Sequence, residues 1–510
     1  MHMDRRQFLI GTMAGIASVH VPKVVASDYQ FSRDPFTLGI ASGDISDDAV
    51  VLWTRLAPEP LAEYGGVGPV AVPVRWELAR DALMSEVIQR GESLAEPGFA
   101  HSVHIDVRRL EPNTEYWYRF NIGDWTSQTG RTKTLPARSR HTSSVRFVTT
   151  SCQNYTHGEF LAYEHIIAEQ PDFVIHLGDY IYDTSFGESY RQHESEEVPV
   201  TLEAFRQRHA LYKTDQQLQR AHAALPFFTI VDNHDATEDR DPSESLRRAA
   251  AYQAWYEHMP VRGYRAPGDN YFDLKRLINL GDLAQISLLD TRQFRDKKDL
   301  CGDTSDTNIG FGNYQARCDD LFDDSRTMLG KAQEDWLSEN LIKNKAAWNV
   351  IASSGPILPF RIHIDETEYG YIGAWDAYPA NRARLVDALS RATKGHPLVL
   401  SGDMHSFWAL DGELFPQADE RIPLVEFVSS SISANWPEPL SRPVRENLVR
   451  NPQIQLYDGE HRGYLVHNVT HDQWQTTYRA VETVKETTSS VFDLETFVLK
   501  HGEPGMQTLD

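Results

Sequence analysis

The chain has 510 residues, 41% of them hydrophobic and 24% charged, which suits a soluble globular protein of two or three domains with ample cores. Its formal net charge of −23 argues against general nucleic-acid binding, which needs a basic surface. A small phosphorylated substrate stays open to it, because bound cations reverse the local field. There is no internal repeat and no long low-complexity segment.

The first residues read as an address. Arg5 and Arg6 precede a modestly apolar run over residues 8–21, and Val24-Val25-Ala26 supplies small residues suited to cleavage. Residues 1–26 resemble a twin-arginine export signal. A basic amphipathic helix fits less well, since Gly11, Gly15 and Pro22 interrupt it. The expectation is a partnership with the twin-arginine machinery and a periplasmic or secreted mature protein. No other stretch has the apolar length of a membrane span, so no stable membrane insertion is expected.

Residues 35–137 alternate short β-rich runs with turns. The runs cover residues 49–55, 72–78, 102–107 and 116–120, and Leu110 to Tyr116 resembles the tyrosine corner of fibronectin-type sandwiches. One β-sandwich is expected, packing against the next domain or serving adhesion. Packing is favoured, because no ionisable cluster gathers there. Residues 134–142 read as a linker.

From residue 143 to 510 the rhythm is strand, helix, strand, the mark of a layered α/β domain. Its centre is Phe173 to Tyr182, a buried strand ended abruptly by Gly178-Asp179. A carboxylate there lies where open α/β sheets hold ligands, and Tyr182 follows three residues on. Asp179 can bridge two cations and a Tyr182 phenolate can bind a hard one. Alone, the pair equally describes a strand end with a helix-capping Asp. The other strands also run out into polar residues: Ser151-Cys152-Gln153, Asp232-Asn233-His234-Asp235, Asp290-Thr291-Arg292, Ser353-Ser354, and Asp403-Met404-His405. Random placement would scatter these along the strands.

Three cysteines are an odd number for an exported chain. Cys301 and Cys318 flank a loop rich in Gly, Asp and Asn, and pairing would staple it for roughly 3 kcal/mol in the chain-entropy model. Cys152 is then left as either a buried inert thiol or, beside a cation, a thiolate ligand.

Taken in order, these motifs resemble the PhoD-type alkaline phosphatases among the calcineurin-like metallophosphoesterases. The match includes Ala41-Ser42-Gly43-Asp44, Val50 to Arg55, Ser151-Cys152-Gln153, His176 to Tyr182, Leu289 to Arg295, Trp375 to Pro379, and Ser401 to Ser406. The resemblance implies Fe³⁺ held by Cys152, Asp179, Tyr182 and His405. It implies Ca²⁺ held by Asp179, Asp403 and Asn233, with His234 assisting the leaving group. Two departures stand out. The family's Trp-Asp-Asp-His-Glu is Val231-Asp232-Asn233-His234-Asp235 here, which leaves the split between Asp232 and Asn233 open. Ser353 and Ser354 replace the histidine of purple acid phosphatases, which suits an oxygen-preferring second ion.

The chemistry needs two things that a cation pair supplies: a clamp on anionic phosphoryl oxygens and a hydroxide at neutral pH. His234 is the expected proton donor to the leaving oxygen. Arg292 either contacts a phosphoryl oxygen or pairs with Asp290 or another local acid. Phosphomonoesters and phosphodiesters both fit the centre, so a phosphodiesterase or phospholipase is a second reading. A third is an exported binding protein with an inactive α/β domain.

Overall fold

In the strand Phe173–His176, successive side chains enter two different cores, as a strand's period of two requires. Phe173 and Ile175 face one, and Val174 faces the other. Phe147 and Val148 divide in the same way, as do Phe228 and Phe227. A strand buried on both faces belongs in the middle of a layered fold. The computed structural model describes residues 29–509 apart from 139, 237–243, 264–271, 299, 302–312, 393 and 416–421. The export-signal reading at residues 1–26 lies outside the described residues.

Two large sheets face each other. The first has ten strands, in the order Gln507–Thr508, Val491–Lys500, Gln473–Val481, Arg462–Thr470, Ser144–Thr150, Phe173–His176, Pro226–Thr229, Ile40–Gly43, Ala49–Arg55 and Ser102–Arg108. The second has seven, in the order Arg276–Leu280, Ala284–Leu288, Trp348–Ala352, His396–Ser401, Val425–Val428, Phe407–Asp411 and Ile454–Asp458. Phe147, Phe173 and Ile175 from the first sheet share one core with Val350, Leu398 and Phe427 from the second. Helices Ala162–Ala168, Leu202–Lys213, Gln216–Ala224 and Ser245–His258 cover the outer face of the ten-stranded sheet. Helices Lys331–Lys343, Pro379–Arg391 and Glu438–Asn447 contribute to the core outside the seven-stranded one. The architecture is therefore helix, sheet, sheet, helix.

The strands at the centre of both sheets run parallel: Ser144–Thr150, Phe173–His176 and Pro226–Thr229 in one, and Ala284–Leu288, Trp348–Ala352, His396–Ser401 and Val425–Val428 in the other. Parallel strands deliver their carboxyl ends to one edge. The turns that follow them meet there.

The N-terminal residues build a β-rich unit that shares a sheet with the rest of the chain. Its second sheet orders Val87–Ala95, Val72–Ala79, Glu115–Ile122 and Trp125–Thr126, with Gly130–Lys133 also pairing Glu115–Ile122. The Tyr116 hydroxyl accepts the Glu111 backbone N–H at 2.9 Å, a bond that closes the expected tyrosine corner. Ile40–Gly43 pairs in parallel with Pro226–Thr229, so this unit extends the ten-stranded sheet. Val50, Leu52 and Tyr118 join the same core as Phe173. At the seam a Cβ on Gly43 would lie 2.4 Å from the Phe227 carbonyl oxygen, so only glycine fits. Trp53 Nε1 donates to the Glu257 carbonyl at 2.9 Å, and buried Arg55 reaches the Ala100 carbonyl and His258. The motifs at residues 41–44 and 50–55 are thus joints between the two parts of the chain.

Cys301 and Cys318 are disulfide-bonded, with their Cα atoms 5.4 Å apart, and Cys152 is a buried free thiol. No helix among the described residues is long and apolar enough to cross a membrane.

Candidate metal centre

Sharp turns at the sheet edge force residues that carry a Cβ into the left-handed region. Cys152 has φ +56°, Asp179 +54°, Asp403 +69° and His405 +51°. Such conformations cost energy, and they cluster where a side chain must be aimed rather than packed. Gly178 (φ +105°) makes the approach possible, since a Cβ there would sit 2.5 Å from Asp232 Cβ.

These turns assemble two donor groups around one shared carboxylate. Cys152 Sγ, an Asp179 oxygen and a His405 nitrogen lie within 4.8 Å of one another. Oxygens of Asp179, Asp232 and Asp403 do likewise. Tyr182 belongs with the first group: its hydroxyl donates to His405 Nε2 at 2.7 Å. Cys152 Sγ is 3.7 Å from Asp179 Oδ2. Asp179 therefore stands between both groups.

Each donor is held from behind. His405 Nδ1 donates to the Asn435 carbonyl at 2.9 Å, so its proton sits there and its Nε2 lone pair faces inward. Tyr371 donates its hydroxyl to Asp403 Oδ2 at 2.7 Å. Asp235 accepts N–H bonds from Tyr180 (2.8 Å), Ile181 (3.1 Å) and Asp232 (2.9 Å), binding two strand-end turns together. Asp179 Oδ1 accepts the His234 backbone N–H at 3.0 Å.

His234 stacks on the Tyr182 ring, centroids 4.2 Å apart, and its Nδ1 donates to Asp183 Oδ1 at 2.7 Å. Arg247 holds the other Asp183 oxygen at 2.7 Å. Burial opposes a charge on His234, but Asp179 and Asp183 outweigh it and raise its pKa to about 9. Burial, followed by the Asp179 charge, pushes both the Cys152 thiol and the Tyr182 phenol well up.

Arg292 ion-pairs with Asp232; its Nη2 also reaches Asn233 Oδ1 at 3.4 Å, and its Nη1 reaches the Gly373 carbonyl at 3.3 Å. Asp232 is a local acid that it meets, while Asp290 accepts the Arg292 backbone N–H at 3.0 Å. Among the described residues, the buried Asp232 Oδ2 has no hydrogen-bond partner. A free carboxylate oxygen buried among other acids is costly unless something positive meets it. Ser353 and Ser354 are engaged within the protein, the first with the Gly355 carbonyl at 2.6 Å and the second with Thr291 at 2.6 Å.

The structure therefore gathers Cys152, Asp179, Tyr182, Asp403 and His405, with His234, Asn233 and Arg292 adjoining. Sequence reasoning singled out none of Asp183, Tyr371 or Asn435, and gave Asp235 no role of its own. Asp235 lies within a quoted motif and Asp183 directly after one, and both carry a weak signal there. Tyr371 and Asn435 sit in segments with no pattern pointing to the centre.

Residues 147–478 match the family model of the PhoD-like phosphatases, and residues 23–136 match that of the PhoD-like phosphatase N-terminal domain. Alkaline phosphatase D of Bacillus subtilis (strain 168) is 38% identical, covering 99% of this chain and 89% of that protein. A solved structure of PhoD superposes with a TM-score of 0.85 at 37% identity, over 94% of this chain and 93% of that one. Purple acid phosphatase PPD1 from yellow lupin shares the fold, with a TM-score of 0.56 at 13% identity over 91% of this chain and 73% of that one.

Proposed function

This chain belongs to the PhoD-like phosphatase family and is a phosphoester hydrolase, and from that premise we propose an exported, metal-dependent phosphatase of the alkaline phosphatase D kind. The observation that carries the metal reading is the pair of donor groups sharing Asp179, with the orphaned Asp232 Oδ2 inside one of them. Residues 1–26 support export, with the twin-arginine machinery as the partner and the periplasm or exterior as the destination.

The donor chemistry separates the two positions. Thiolate, phenolate, imidazole and carboxylate from Cys152, Tyr182, His405 and Asp179 suit Fe³⁺. Asp179, Asp403 and Asp232 offer oxygen alone, which suits Ca²⁺, with Asn233 a further oxygen alongside. Bound there, such ions supply Lewis acidity toward phosphoryl oxygens and a nucleophilic hydroxide near neutral pH.

The chain's own groups do the remaining work. His234, held by Asp183 and stacked on Tyr182, offers Nε2–H to the leaving oxygen. Arg292 holds Asp232 in place and carries positive charge against a cluster of acids. Asp235 fixes the spacing of the Asp179 and Asp232 turns. Beside the centre, a cavity of about 550 Å³ lined by Phe186, Trp436, Arg462 and Lys485 offers space for a small ester's leaving group. Phe186 is the link, since it stacks on both His405 and His234.

A panel of phosphomonoesters and phosphodiesters, assayed after EGTA treatment and after metal return, tests this. Chelation should abolish turnover and Ca²⁺ should restore it, with Zn²⁺ restoring it poorly because the oxygen-only group lacks His and Cys. Full activity in protein shown by elemental analysis to be metal-free would overturn the proposal. The ratio of diester to monoester turnover decides whether the phosphodiesterase reading replaces it.

A further inference from the structure

We propose that His141, Asp282 and His471 form a separate metal site for Zn²⁺ or a similar borderline divalent cation. The site lies at the end of the sheets remote from the centre above. Asp282 stands between two imidazoles: Oδ2 accepts from His141 Nδ1 at 3.2 Å, and Oδ1 from His471 Nε2 at 3.1 Å. All three donor atoms lie within 4.8 Å of one another. A tetrahedral zinc about 2.0–2.1 Å from each N or O ligand places its ligand atoms about 3.3 Å apart. The two carboxylate–imidazole spacings, 3.2 and 3.1 Å, lie near that value but run to different Asp282 oxygens, so an ion held through one oxygen draws the second imidazole toward it.

The loops carrying these groups are built to touch. Thr142 N–H donates to Asp282 Oδ1 at 3.0 Å, and Asp282 N–H donates to the Arg140 carbonyl at 3.1 Å. Gly281 (φ +61°) lies so close that a Cβ would be 2.1 Å from Thr142 Oγ1. On the other side, Trp348 Nε1 anchors the Thr470 carbonyl at 2.7 Å, just before His471. The two rings stack at 4.9 Å between centroids, which holds both imidazoles over the carboxylate. Side-chain exposures of 71% for His141, 43% for Asp282 and 33% for His471 give an ion access and let water complete its shell.

The topology gives the site a purpose. His141 lies in the segment entering strand Ser144–Thr150. Asp282 lies in the turn between Arg276–Leu280 and Ala284–Leu288 of the seven-stranded sheet. His471 lies in the turn between Arg462–Thr470 and Gln473–Val481 of the ten-stranded sheet. Ser144 pairs with Thr470, so this is where the strands begin whose far ends carry the phosphatase centre. One cation here ties both sheets to the segment joining the N-terminal unit to the rest. The competing account is a His–Asp–His ion pair on the surface, which contributes little and binds no metal.

Full-length protein carrying its own active-centre metals is dialysed against Zn²⁺, and H141A and H471A are treated alike. Zinc entering the phosphatase centre does so equally in all three, so the difference between them reports this site. Wild-type protein should retain one more zinc, and titration should show affinity at this site falling at least about 100-fold in each variant, since even partners outside the first ligand set cost 10–100-fold. Zinc should raise the melting temperature of wild type and leave the variants unmoved, with ester hydrolysis the same in all three. Equal zinc content and equal thermal response in wild type and both variants would overturn the site. Because the comparison reads zinc and not turnover, it stands apart from the phosphatase proposal.

Discussion

Tyr182 donates its hydroxyl to His405 Nε2 across 2.7 Å, although the two residues are 223 positions apart in sequence. Cys152 and Asp179 complete the surroundings of that contact. With Fe³⁺ bound by these groups, phenolate and thiolate donation should make the purified protein absorb visible light. Tyr182→Phe should weaken or shift the band, and Cys152→Ser should change it differently by exchanging sulfur for oxygen. A colourless, iron-free and fully active protein would defeat the ferric assignment. A band that ignores both substitutions would show that other ligands hold the iron.

Asp179→Asn should reduce turnover by roughly 10³-fold or more, because the carboxylate shared by both groups secures interactions worth several kcal/mol to the reaction. The amide is nearly isosteric and can still accept the His234 backbone N–H. Circular dichroism and melting temperature should therefore change little. Retained turnover in metal-loaded Asp179→Asn protein would remove the residue from its bridging role.

Asp183→Asn probes His234 through its pH profile. The charge on Asp183 and its hydrogen bond help raise the His234 pKa, and a general acid is lost as pH rises through its pKa. Removing that charge lowers the pKa, so the alkaline limb of kcat should move down by about 1–2 units. His234→Ala should remove the limb and slow esters with poor leaving groups most. An unmoved limb in Asp183→Asn would assign it to another group.

Lys213 is buried, with its ammonium 3.1 Å from the Tyr180 hydroxyl and 4.4 Å from the Trp53 ring centroid. Burial lowers its pKa from 10.5 to about 7. Between those values the unfolded chain binds the proton more readily than the folded one, so this group makes stability rise with pH from about 7 to 10.5. Below about 7 the folded protein carries the full cost of a buried charge, on the order of 5 kcal/mol. Lys213→Met should flatten the slope in urea denaturation across that window and stabilise the protein most below about pH 7. An unchanged slope would show that Lys213 has an ordinary pKa.

The layered α/β class, the strand ends and most donor types were legible in the chain. Strand Ala49–Arg55 coincides with its predicted bounds, and Ser102–Arg108 ends one residue past them. Buried strands are short apolar runs, and a run that ends in Gly-Asp or Ser-Cys advertises where its side chains stop packing. The C-terminal strands Arg462–Thr470, Gln473–Val481 and Val491–Lys500 carry no such ending, and sequence reasoning did not single them out as part of the main sheet.

What the sequence by itself determined is local: which residues lie on strands, which residues end them, and which of those can bind a cation. The tertiary structure decided which ends meet. It placed Asp232 beside Asp179 and Asp403, committed Arg292 to Asp232, and set Asp183, Tyr371 and the Asn435 carbonyl behind the donors. It also joined Ile40–Gly43 to Pro226–Thr229, so that a region read as a separate sandwich shares its sheet and core with the catalytic part. The reason is physical. Backbone periodicity is written in neighbouring residues, whereas strand order and side-chain partners depend on how two sheets pack over a common core, and no local pattern records that.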